Sequence, residues 1–102
     1  MEDKYHATLI LADGTKDEKH LPQKPDLKTM QDWVGGYIEV VGGRKENKNL
    51  MMIINEEGRL KGLDVNKEAT TMFVDWLRHE DRVSPIENIV GDVIVCNNFK
   101  LD

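Results

Sequence analysis

Five consecutive apolar residues, Leu50-Met51-Met52-Ile53-Ile54, constrain the fold of this chain more than any other stretch. Successive side chains of a strand point to opposite faces of its sheet, so a strand that is apolar throughout must be covered on both. The run therefore reads as a central strand. Just before it, Tyr37 to Val41 (YIEVV) predicts a second strand, with Ile38 and Val40 on one face and Tyr37, Glu39 and Val41 on the other. Just after it, Asn55-Glu56-Glu57-Gly58 predicts a four-residue hairpin connection. Arg59 to Leu63 then returns as a short strand with its cations outward and Gly62 as a bulge.

The remaining elements follow from local signals. Tyr5 to Leu11 is rich in strand formers, and Asp13-Gly14 marks a tight turn into Thr15 to Leu21, a charged edge strand. A three-residue loop, Ala12 to Gly14, sets His6 opposite His20, whereas a two-residue loop sets His20 against Ala7. Two histidines lacking a third ligand make a weak metal site, so no metal is expected. Asp26 is a good N-cap for a helix from Leu27 to about Val34, ended by Gly35-Gly36, with Leu27, Met30 and Val34 as its apolar stripe and Trp33 just beside it. Asn66 caps the main helix, Lys67 to about His79, whose stripe is Ala69, Phe73, Trp76 and Leu77. Glu80 to Asn88 is a polar loop containing Pro85. Ile89 to Val95 is a closing strand interrupted at Gly91-Asp92.

Strands and helices are interspersed without strict βαβ alternation. The expected fold is a single α+β domain over residues 1–102, with five or six strands in a mixed or mainly antiparallel sheet and two helices. Residues 1–4 and 97–102 read as tails. A chain of 102 residues can bury roughly two-thirds of its unfolded surface without metal or disulfide staples. Its single cysteine, Cys96, lies in an apolar run and reads as a buried thiol.

Charge narrows the function classes. The formal net charge is −5 and the pI about 5.2, against the cationic surface that general nucleic-acid binding needs. The compact basic patch, Gly42 to Lys48, is diluted by Glu46 and reads as a solvated loop tip. The longest apolar runs are too short to span a membrane, and no targeting signal is legible, so cytoplasm is the expected compartment. An acidic surface suits a basic protein partner. An exposed edge strand would support a homodimer.

No nucleophile elbow, P-loop, zinc motif, dinucleotide fingerprint or EF-hand loop is present, so no catalytic residue, metal or cofactor is assigned. One constellation stands as a binding hypothesis. If the YIEVV and LMMII strands pair, Gln31, Glu39, Asn55 and Asn66 approach one rim of the sheet. Tyr37, Glu57 and Thr70 lie in the same segments, and the start of the main helix adds free N–H groups. Each residue also has a plain structural job: Asn66 caps, Thr70 caps or packs, and Asn55 and Glu57 shape the turn.

Several of these stretches together resemble a known family. They are Gly35 to Glu39 (GGYIE), Asn55 to Gly58 (NEEG), Leu63 to Thr70 (LDVNKEAT) and Gly91-Asp92, within roughly residues 27 to 95. The pattern is similar to that of short uncharacterised domains, classed as of unknown function and encoded largely by bacteriophages, other viruses and mobile elements. Members commonly carry a proline just before the helix-start Asn, where this chain has Val65. The resemblance implies an accessory protein acting inside a host and supplies no activity. The expectation is a non-enzymatic protein that binds a host macromolecule, through the acidic edge of Asp17, Glu18, Glu80 and Asp81 or the Tyr37/Glu39 face. The alternative is a binder of nucleotides or nucleotide-derived signals.

Overall fold

A computed structural model describes residues 5–45, 48–80 and 88–96. The expected tails, Glu46-Asn47 of the basic loop, Asp81 and Pro85 lie outside those residues. In chain order the elements are β1 (Tyr5–Ile10), β2 (Lys16–Leu21), α1 (Leu27–Val34), β3 (Ile38–Lys45), β4 (Lys48–Asn55), α2 (Lys67–His79) and β5 (Val93–Cys96). The five strands form one sheet in the order β2-β1-β5-β4-β3, and every neighbouring pair is antiparallel.

The chain lays down two hairpins and then joins them. In the first, Asp13 Oδ1 accepts from the Thr15 N–H at 2.8 Å, a short Asx turn that fixes the three-residue loop. That loop length sets His6 opposite His20. The second hairpin is β3–β4, with Ile38 opposite Asn55. β5 then inserts between them, pairing with β1 on one side and β4 on the other. β4 is thus an interior strand, as its unbroken apolar run requires.

Each sheet face carries one helix. On one side Met52 and Ile54 of β4, Val41, Ile10 and Val93 pack with Ala69, Phe73, Trp76 and Leu77 of α2. On the other, Ile53, Ile94, Ala7 and Cys96 pack with Met30 and Val34 of α1, flanked by Trp33, Ile38 and Met51. Met52, Ile53, Val93 and Ile94 have no exposed surface, and full burial of each such side chain stabilises by roughly 1.5–3 kcal/mol.

The caps set the helix limits. Asp26 accepts from Thr29 N–H at 2.8 Å, and the Thr29 side-chain hydrogen bond, with this backbone one, holds its carboxyl below the usual carboxylate range. Gly35 ends α1 at φ 83°, a left-handed conformation open to glycine at little cost. α2 starts at its cap Asn66 and ends with Arg78 and His79 in the last turn, where cations suit the helix dipole.

Four expectations need correction. Arg59 to Leu63 is no strand: Lys61 N–H bonds Glu57 C=O, Gly62 N–H bonds Arg59 C=O and Leu63 N–H bonds Gly58 C=O, winding the segment into consecutive turns. β4 already has a partner on both sides, so no ladder is left for it, and Asn55 to Gly58 opens those turns instead of a hairpin. The closing strand is shorter than Ile89 to Val95, because Val90 makes only an isolated bridge to Val65 before the chain bends at Gly91. On β3 the alternation is as expected, but Val40 is 44% exposed while Val41 is buried, since α2 covers Val41 and α1 is too short to cover Val40. Leu27 is likewise exposed, at the outer end of α1.

Candidate functional site

The residues singled out by the sequence separate into four places. Asn66, Thr70 and the Gly91-Asp92 step form an internal knot. Asn66 is fully buried. Its Oδ1 accepts from Ala69 N–H at 3.0 Å, and its Nδ2 donates to Ile10 O and Gly91 O, each at 2.9 Å. Thr70 Oγ1 accepts from Ile89 N–H at 2.9 Å and donates to Ile89 O at 3.3 Å. Asp92 Oδ1 accepts from Ala12 N–H at 3.0 Å. These side chains tie the β1–β2 loop, the start of α2 and the approach to β5 into one unit.

Asn55 is the second. It is buried at the end of β4, donating from Nδ2 to Val34 O at 3.1 Å and accepting from Glu57 N–H at 2.8 Å. It fastens the last carbonyl of α1 to the turn after β4. Glu39 pairs with Ile54, so it stands on the α2 side of the sheet, whereas Asn55, one residue on from Ile54, faces the α1 side. The proposed rim of Gln31, Glu39, Asn55 and Asn66 therefore does not assemble. The cause is strand alternation at Glu39, together with the inward commitment of both asparagines.

What does assemble is an open cleft of about 460 Å³ at the C-terminal end of α1, lined by Gln31, Asp32, Gly35, Gly36, Tyr37, Glu57 and Lys61. Gln31, Tyr37 and Glu57 were legible in the sequence as binding candidates; Asp32 and Lys61 were not. The available signal was the four-residue spacing of Glu57 and Lys61, which places Lys61 Nζ 3.8 Å from Glu57 Oε2. On the α1 side, Asp32 pairs with Lys28 at 3.6 Å. The Tyr37 C=O accepts from Glu56 N–H at 2.9 Å, which fixes the backbone while the side chain stands 64% exposed. Leu60, beside Lys61 in the turn, is 90% exposed. The cleft can offer an aromatic ring, two carboxylates, an amide and an ammonium to a ligand surface.

Of the expected acidic edge, Asp81 lies outside the described residues. Asp17 and Glu18 are adjacent in β2 and so point to opposite faces, and Asp17 is engaged by Lys19 at 2.9 Å. Among the described residues no helix is long and apolar enough to cross a membrane.

Fold and site together define a small three-layer α+β domain, an antiparallel sheet between two helices, with an open mixed-charge cleft at one helix end. The chain belongs to the family described as Domain of unknown function (DUF3846), which matches it over residues 7–100. It matches no curated protein and no solved structure.

Proposed function

We propose that this domain is a small non-enzymatic accessory protein, of the kind encoded by phages, viruses and mobile elements, that acts in a host's cytoplasm by binding a host protein. The observation that carries this reading is an open cleft with a large exposed aromatic side chain, Tyr37, in its wall. Tyrosine is enriched where protein surfaces meet, because it brings a large apolar area together with a polar tip at low entropic cost. The rest of the sequence-level constellation supports the reading from the other direction. Asn55, Asn66 and Thr70 spend their hydrogen-bonding capacity inside the fold, which favours the cleft over them as the recognition surface.

The test is a pull-down from host lysate with the intact chain, compared with a Tyr37→Asp/Leu60→Ser variant of unchanged circular dichroism. A stoichiometric host protein recovered by the first and lost with the second supports the proposal. Recovery of nothing, or of the same protein by both, overturns it.

The second reading, a nucleotide or nucleotide-derived ligand, rests on the cleft volume, which falls within the roughly 300–1,000 Å³ of ligand pockets. A thermal-shift screen discriminates, since ligand at about 100 times its Kd stabilises by roughly 2.7 kcal/mol.

A further inference from the structure

The chain has three histidines, and two of them face each other across the edge hairpin on the α2 side of the sheet. Leu11 N–H donates to Thr15 C=O at 2.8 Å, making that pair hydrogen-bonded. Counting back, Ile10/Lys16, Thr8/Glu18 and His6/His20 alternate into the close class of antiparallel pairs, whose facing residues exchange no backbone bonds. Facing Cα atoms in such pairs stand only about 4.5 Å apart, with side chains in contact. The His6 and His20 rings are accordingly 4.7 Å apart between centroids, edge to face at 86°. Around them lies a hollow of about 270 Å³ whose walls include Thr8 and Glu18 of the hairpin and Met72 and Trp76 of α2.

We infer that His6 and His20 form a two-imidazole chelating site for a borderline divalent transition-metal ion such as Ni²⁺, Cu²⁺ or Zn²⁺. The spacing is the reason. A metal about 2.0–2.1 Å from one nitrogen of each ring lies about 3 Å from each ring centre, and ligand angles between square and tetrahedral then separate the centres by about 4.5–5 Å. The free protein already holds that separation between the ring centres. Glu18 Oε2, 3.9 Å from His20 Nε2, places a carboxylate beside the incoming cation. Among the described residues no group of three or more His, Cys, Asp and Glu side chains is placed to hold a metal ion. The site is therefore a bidentate, labile one, completed by water, and its rings stand at the solvent. Imidazole suits these ions and not Ca²⁺ or Mg²⁺, which take oxygen ligands. Bound metal would clamp β1 to β2 and stiffen the outer margin of the sheet.

Two measurements on the intact chain test this. Calorimetric titration with Ni²⁺ at neutral pH is expected to show one saturable site per chain, unaffected by excess Mg²⁺. His6→Asn and His20→Asn are each expected to weaken it by at least the roughly 10–100-fold that losing an outer partner of a metal ligand costs. His79→Asn should leave it unchanged. Independently of any variant, substoichiometric Ni²⁺ should broaden the amide resonances of residues 5–8 and 18–21 first. Absence of a saturable site, undiminished binding in the double His6/His20 variant, or broadening centred elsewhere would each overturn the assignment.

Discussion

Replacing Asn66 with alanine removes one small side chain and three bonds. The Ala69 N–H loses its capping acceptor, and the carbonyls of Ile10 and Gly91 lose a donor 2.9 Å away. An N-cap deletion costs about 1 kcal/mol, and each buried hydrogen bond about 1 kcal/mol more. The sum is about 3 kcal/mol, taken from a total of about 5–15 kcal/mol for a domain of this length. That should lower Tm by about 12–24 °C at about 4–8 °C per kcal/mol. In urea the midpoint should fall by roughly 1–3 M with unchanged slope. Asn66→Asp is the sharper variant. Aspartate caps a helix as well as asparagine does, but a carboxylate cannot donate and would face two carbonyl oxygens in a buried site, so it should be at least as destabilising as alanine. A loss below about 1 kcal/mol for alanine, or near-native stability for aspartate, would refute the assignment of Asn66 as a triple tie.

Two further outcomes follow from the same structure. Gly91 sits at φ 76°, and a Cβ there would lie 2.8 Å from Leu63 Cδ1, so Gly91→Ala should cost about 1–2 kcal/mol in backbone strain alone, read as a lower urea midpoint. Burial pushes the Cys96 thiol up to about 12, so it should resist iodoacetamide at pH 8 in the native protein and react once urea unfolds the chain. Because the unfolded thiol ionises near 9.0, stability should fall as pH rises from there towards about 12; reaction of the native protein at the unfolded rate would refute the burial argument.

Features written in local chemistry were legible in advance. The helix limits at Asp26, Gly35 and Asn66 rest on caps whose partners are three or four residues away, and the interior position of β4 rests on its own composition. Features that depend on pairing were not. Nothing in Val93 to Cys96 specifies that it lies between β1 and β4, since periodicity describes a strand's faces and not its neighbours. Arg59 to Leu63 alternates like a strand, yet the outcome was decided by an occupied ladder elsewhere. The site was legible only in part for the same reason. Capping by Asn66 could be read locally, but its donation to Ile10, far away in sequence, could not. Gln31, Tyr37 and Glu57 meet because Asn55 pins the end of α1 to the turn after β4. That contact spans 21 residues, and its consequence, the recruitment of Asp32 and Lys61, is invisible in either segment alone.

The last strand of the described chain fills the middle of its sheet. Without Val93 to Cys96 the two hairpins share no ladder, and β1 and β4 each present an unsatisfied row of amides and carbonyls along the side that β5 occupies. Completion must await a distant segment, which slows the search for the native arrangement and lengthens the exposure of sticky margins.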